Sequence, residues 1–249
     1  VFEDPATGAP RLARAWTSGE KVLVFDPVAG GNALFVLDIC SDGRAMAVVR
    51  AMAVFKEPAT SALRLACGSD DGKVRIFDAV SGGDALLVLD LGFLREEAVY
   101  ALVVFKDLAT GAPRLTSGSY SGKVRVFDPV AGGEALVVLV GHTDQVYALT
   151  AFEDPATGEP RLVSGSEDNT ARVWNPAANG AAIEAEPEGH SKIVLTLVTY
   201  VDPATGALRV ATTAGDDEYY RSDGTIRVWD AETGDVLLVI DVGSEVKAL

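Results

Sequence analysis

Short apolar runs recur along the chain, and the same polar punctuation separates them. Val146 to Phe152 (VYALTAF) is one such run, of a length that suits a buried strand rather than a helix. Asp154-Pro155-Ala156-Thr157-Gly158 follows it. An Asp carboxylate accepts from backbone N–H groups two residues on, Pro presets the next φ, and Gly supplies a positive φ, so this phrase predicts a hairpin. Arg161 to Ser166 (RLVSGS) reads as a second strand, Asp168-Asn169 as a tight turn and Thr170 to Trp174 (TARVW) as a third strand. Asn175-Pro176 opens a further turn, Asn179-Gly180 closes it, and a fourth strand is expected beyond. No stretch sustains a 3.6-residue period, and Gly and Pro interrupt the pattern throughout, which excludes a helical repeat.

The same unit occurs five times. Its anchoring aromatics are Phe2, Phe55, Phe105, Phe152 and Tyr200, and the units run over about 1–53, 54–103, 104–150, 151–198 and 199–249 of one domain. A period in this range marks a solenoid, propeller or array. Each unit has two wide turns in which an acidic residue or Asn is followed four positions later by a residue tolerant of positive φ. Asp4/Gly8, Asp107/Gly111, Asp154/Gly158 and Asp202/Gly206 form the first kind; Asp26/Gly30, Asp78/Gly82, Asp128/Gly132 and Asp230/Gly234 form the second. Turn capping accounts for the Asp, the Pro and the Gly together, whereas a ring of calcium ligands would account for the carboxylates alone. Four short antiparallel strands per unit fit a propeller blade better than a sandwich.

Gly141-His142 followed by Ser164, Asp168 and Trp174-Asn175, and Gly189-His190 followed by Thr212, Asp223 and Trp229-Asp230, resemble the WD-repeat β-propeller family over essentially the whole chain. The resemblance implies a structural hydrogen-bond network in each such blade: His142–Ser164–Asp168–Trp174 in one and His190–Thr212–Asp223–Trp229 in the other. Each histidine then serves its own blade, and neither belongs to a shared catalytic site. Three features depart from the family pattern. Phe25, Phe77 and Phe127 stand where Trp is usual, the earlier junctions lack Gly-His, and the Asp-Pro-Ala-Thr-Gly hairpin lengthens the period.

The resemblance implies an all-β fold, a β-propeller of five four-stranded antiparallel blades. Val246 to Leu249 matches the opening half of a first strand and Val1-Phe2 its closing half, so both termini would complete one blade and close the ring. The alternative is a five-blade excerpt of a seven- or eight-bladed propeller. The chain opens without Met and without a basic-then-apolar leader, which fits a processed product, a trimmed stretch or a part of something longer.

A net charge of −15 disfavours nucleic acid and anionic membrane surfaces, and favours basic partners. No apolar run is long enough for membrane insertion. Cys40 and Cys67 form neither a disulfide framework nor a zinc motif, and a reducing, cytoplasmic setting is the expectation. No phosphate loop, zinc signature or nucleophile motif occurs, so the expectation is a non-catalytic protein without cofactor or metal. It reads as a scaffold for other proteins or peptides. The alternative is a multivalent small-ligand or glycan-binding propeller. The irregular segments Asp38–Arg44, Leu91–Glu97 and the insertion within Gly215–Ser222 all fall at the junction end of the blades in the resembled fold. Loops on a rigid scaffold carry recognition, and Tyr and Arg are favoured anchors. Tyr219, Tyr220 and Arg221, with Phe93, Leu94 and Arg95, are therefore the candidate partner-binding residues.

Overall fold

The computed structural model describes residues 1–15, 20–40, 47–92, 95–177, 182–183, 190–215 and 223–243. Among them, twenty strands build five separate four-stranded sheets, each an antiparallel meander in chain order. The first sheet contains β1 (Phe2–Glu3), β2 (Pro10–Ala15), β3 (Lys21–Phe25) and β4 (Phe35–Asp38). The second contains β5 (Val49–Lys56), β6 (Leu63–Ser69), β7 (Lys73–Asp78) and β8 (Leu87–Asp90). The third contains β9 (Val99–Lys106), β10 (Pro113–Ser119), β11 (Val124–Phe127) and β12 (Val137–Leu139). The fourth contains β13 (Val146–Glu153), β14 (Pro160–Ser166), β15 (Ala171–Trp174) and β16 (Ala182–Ile183). The fifth contains β17 (Ile193–Val201), β18 (Leu208–Gly215), β19 (Thr225–Asp230) and β20 (Val236–Asp241). A repeat counted from its anchor aromatic begins inside a first strand, whereas the sheets change over at the junctions between fourth and first strands.

The expected turn chemistry is present. Gly8, Gly111, Gly158 and Gly206 each donate their N–H to the carbonyl of the Asp four residues earlier, and all have φ near +70°. In the second unit Ser61 takes this place with a φ of 58°, a left-handed conformation that a side chain tolerates poorly.

Both faces of the inner sheets are covered, one by each neighbour. Val22, Val24 and Leu37 of the first sheet pack on Leu65, Cys67 and Phe77 of the second. Val74, Ile76 and Leu89 of the second pack on Val99, Leu115 and Phe127 of the third. Val124, Val126 and Leu139 meet Val146, Leu162 and Trp174; Val163 and Val173 meet Leu208, Val210 and Trp229. The third-strand aromatics Phe77, Phe127, Trp174 and Trp229 each pack on the preceding sheet, so both Phe and Trp are found in this place.

The glycine of Cys67-Gly68-Ser69 and of the two later Ser-Gly-Ser phrases has a packing cause. A Cβ on Gly68, Gly118 or Gly165 would lie 2.5–2.6 Å from a methyl of Val99, Val146 or Val194, the opening residues of the next sheet or next to them. Only glycine lets the next first strand approach this closely.

Among the described residues, the outer face of the fifth sheet lacks such cover. The cross-strand pairs Val22–Leu37, Val74–Leu89 and Val124–Leu139 are buried between sheets. The matching pair in the fifth sheet is Ile226–Ile240, and there Ile240 is 40% exposed. Among the described residues, no hydrophobic cluster joins the fifth sheet to the first. Residues 244–249, on which closure by both termini would depend, lie outside the described residues.

Gly118→Ala and Gly165→Ala are each expected to lower the unfolding free energy by about 1–3 kcal/mol, because the incoming methyl forces two sheets apart. Denaturant unfolding of both variants checks this. Wild-type stability in both would mean that the sheets do not meet at these glycines.

Candidate interaction face

In an antiparallel meander, the turns joining first to second and third to fourth strands share one end. The tight turns joining second to third strands share the other end with the junctions. Observed hydrogen bonds tie the latter set together: Asp70, Tyr120 and Glu167 in the tight turns donate their N–H groups to the carbonyls of Val48, Ala98 and Gln145 in the junctions.

At the hairpin end, one arginine per sheet clamps the Asp turns. Arg11 reaches Asp4 at 3.0 Å and Asp26 at 3.6 Å; Arg64 reaches Asp78 at 2.7 Å and also Glu57; Arg114 reaches Asp107 and Asp128. Arg209 reaches Asp230 at 2.6 Å and Asp202 at 3.6 Å. Asn175 replaces the second acid in the fourth sheet, and Arg161 pairs there with Asp154 and Glu159. The other oxygen of these carboxylates caps the turn, as where Val28 and Ala29 donate to Asp26 Oδ1. Backbone N–H groups, Ala6 foremost for Asp4 and Ala29 for Asp26, hold both carboxyls below the ordinary value. Among the described residues, no three acidic, His or Cys side chains are placed to share a cation.

At the junction end, the two histidine networks are assembled. His142 Nδ1 lies 2.8 Å from Asp168 and its Nε2 lies 2.7 Å from Ser164 Oγ, which also accepts from Trp174 Nε1 at 2.7 Å. One assignment satisfies every atom: Trp174 donates to Ser164, Ser164 to Nε2, and the Nδ1–H to the Asp168 carboxylate. His190, Asp223, Thr212 and Trp229 repeat it at 2.6, 2.8 and 2.7 Å. Burial holds the His190 imidazole below its ordinary value of 6.5, against the pull of Asp223. Burial alone would raise Asp168 and Asp223, but hydrogen bonds from His142, His190 and the following threonines outweigh it and hold both carboxyls low.

The second and third sheets lack histidine and use arginine instead. Arg75 binds Asp71 at 2.7 Å and Ser69 Oγ at 3.1 Å. In the third sheet Ser121 occupies the turn position, and Glu97 supplies the carboxylate from the junction, 2.7 Å from Arg125. Sequence reasoning missed this substitution; Arg75 and Arg125 have counterparts in Arg172 and Arg227, so the arginine itself does not mark it. Cys67 takes the place of Ser164 in the second sheet, and burial pushes its thiol up to about 12. Ser117 takes it in the third, fully buried, with no hydrogen-bond partner among the described residues.

A second feature of this end also went unseen in the sequence. Each full-length first strand has a register shift at one residue: Arg50, Tyr100, Tyr147 and Leu195, all five positions before the anchor aromatic. A β-bulge re-aims the side chain it carries. The result is a row across three sheets. Arg50 sits 5.9 Å over the Tyr100 ring, Tyr100 and Tyr147 are 5.0 Å apart, and Tyr120 from the tight turn lies 6.4 Å from Tyr100. Tyr120 is 41% exposed. Asp70 lies 3.8 Å from Arg50, and the Tyr147 hydroxyl donates to Gln145 at 2.9 Å and lies 3.4 Å from Glu167. The residues chosen from the sequence, Phe93, Leu94, Tyr219, Tyr220 and Arg221, lie outside the described residues, as does the side chain of Arg95 in the 3₁₀ turn Arg95–Glu97.

Residues 37–78 and 133–175 match the family model described as WD domain, G-beta repeat. Two stretches of the chain thus resemble WD repeats. Each match runs from the fourth strand of one sheet through the third strand of the next, so the sequence repeat straddles two sheets. WD-repeat propellers generally serve as protein-interaction scaffolds. Among solved structures, the computationally designed Ika8 protein is similar at 27% identity with a TM-score of 0.66, over 95% of this chain and 60% of that one. A chain of a mitotic checkpoint complex is similar at 23% identity with a TM-score of 0.70, over 96% of this chain and 65% of that one. The chain thus spans 60–65% of the length of these solved chains. No curated protein matches it.

Ser164→Ala is expected to cost about 1–3 kcal/mol, because it strands buried Trp174 and His142 groups, whereas Ser117→Ala removes an unpaired hydroxyl and leaves stability level or improved. Equal losses in thermal or denaturant unfolding would contradict the network assignment. The pH dependence follows from the same groups. The unfolded chain protonates His190 near 6.5 and Asp223 near 3.8, the folded chain only below those values. Stability therefore falls as the pH drops below 6.5 and again below 3.8. Melting temperatures between pH 7 and 5 should decline less steeply in His190→Gln than in wild type.

Proposed function

We propose that residues 1–249 form one interaction domain that holds a protein or peptide over the junction end of its sheets. The single observation behind this reading is the bulge-borne row Arg50–Tyr100–Tyr147 with Tyr120. It places aromatic side chains side by side on a rigid frame, at a position each first strand can vary without touching the inter-sheet core. The opposite end offers little by comparison, since its Asp and Arg side chains are committed to capping and to one another. Phe93–Arg95 and Tyr219–Arg221 remain part of the proposed face by their place in the chain, the first between the second and third sheets and the other between the second and third strands of the fifth. The proposal assigns no catalytic step. It places the five sheets in a ring of more than five blades, supported by the uncovered Leu238 and Ile240 and by the greater length of the solved chains it resembles.

One observation favours a second reading, a small-ligand site. A cavity of about 590 Å³ opens at the hairpin end between the fourth and fifth sheets, with Phe152, Val173 and Leu208 as apolar walls and Arg161 and Asp230 at its rim.

Photocrosslinking distinguishes the two ends. A photoreactive residue at Tyr120 should yield defined adducts with partner proteins that one at Thr157 does not. Equal adduct patterns from both positions, or adducts from Thr157 alone, would overturn the assignment of the face.

A further inference from the structure

Resting on the junction-end reading above, we propose that the tyrosine row takes a cationic side chain, arginine in preference to lysine, from a basic segment of a partner protein. The face of a phenol ring carries negative potential and attracts a cation within about 6 Å, and a planar guanidinium stacks on such a ring as an ammonium cannot. The protein already displays this pairing once, in the guanidinium of Arg50 at 5.9 Å over Tyr100. Tyr120 presents a second ring, 41% exposed, at 6.4 Å from the first.

The surrounding charge has the sign this occupant needs. Asp70 stands at the Arg50 end of the row and Glu167 at the Tyr147 end, with the exposed Asp144 beside them. An arginine laid over Tyr120 has carboxylates on either side for its N–H donors. The net charge of −15 would draw a basic segment toward the protein from a distance, and the rings would then select guanidinium. Arg50 has a particular place here. Its side chain is 47% exposed and its distance to Asp70, 3.8 Å, is long for an ion pair. It holds one ring face with a weak grip and competes with the incoming cation.

The test is fluorescence anisotropy with a labelled octapeptide of alternating arginine and alanine, alongside matched lysine, glutamine and glutamate peptides. The arginine peptide should bind tightest. Tyr120→Ser and Tyr147→Ser should each weaken it about fivefold or more, while Tyr147→Phe, which keeps the ring, changes little. Arg50→Leu should tighten it. Glu167→Gln should weaken binding more than Glu232→Gln, an equal loss of charge at the hairpin end. Undiminished binding by Tyr120→Ser, or equal effects of the two glutamate variants, would reduce the attraction to bulk charge and overturn the inference. Tighter binding of the glutamine or glutamate peptide, lost in Tyr120→Ser, would overturn the cation preference and leave the interaction face standing. Failure of the face itself would appear instead in the crosslinking pattern.

Discussion

The close approach of three first strands, β9, β13 and β17, to a glycine in the sheet before each constrains the rest of the molecule; between the first and second sheets Ala15 holds the matching place. Val99, Val146 and Val194 sit where a Cβ on Gly68, Gly118 or Gly165 would have to be. That approach lets the third-strand aromatic reach back into the preceding sheet and lets aliphatic pairs such as Val124–Leu139 close the gap between sheets. Among the described residues, four gaps between consecutive sheets carry the core, three of them built on such a glycine. Burial is divided among them, so each unit depends on its neighbours and little core lies within any single sheet.

Polar interactions then fix the two ends of each sheet, and they are more interchangeable than the packing. One end is uniform: an arginine on the second strand ties two capped turns in nearly every unit. The other end uses histidine with serine or threonine in the last two sheets and arginine with a carboxylate in the second and third. Glu97 shows how free the choice is, since it enters from the junction rather than from the tight turn. What the alternatives share is a donor held at the junction between one sheet and the next. Side chains can vary around that frame at Arg50, Tyr100, Tyr147 and Leu195, bulged positions outside the clusters that carry the packing.

Much of the fold was legible in the sequence because turn chemistry and strand alternation are local. Asp154-Pro155-Ala156-Thr157-Gly158 specifies its own hairpin, and Gly141-His142 with Ser164, Asp168 and Trp174 specifies a network known from the resembled family. The proposed binding surface was less legible. Tyr100 and Tyr147 lie inside apolar runs, where alternation alone treats them as ordinary strand positions. Only a backbone bulge turns them into neighbours across sheets, and no residue type announces that bulge. The informative trace was the variation Arg, Tyr, Tyr, Leu at a fixed offset from the anchor aromatics. Ring closure was also beyond reach, because it depends on the angle between sheets, which sums small packing differences that no single residue encodes.

Nuclear Overhauser contacts between valine methyls and glycine α-protons test the packing most directly. The account predicts three equivalent sets, Val99 with Gly68, Val146 with Gly118 and Val194 with Gly165, each linking one sheet to the next in order. Absence of these contacts, or strong methyl contacts between sheets that are not consecutive, would contradict it.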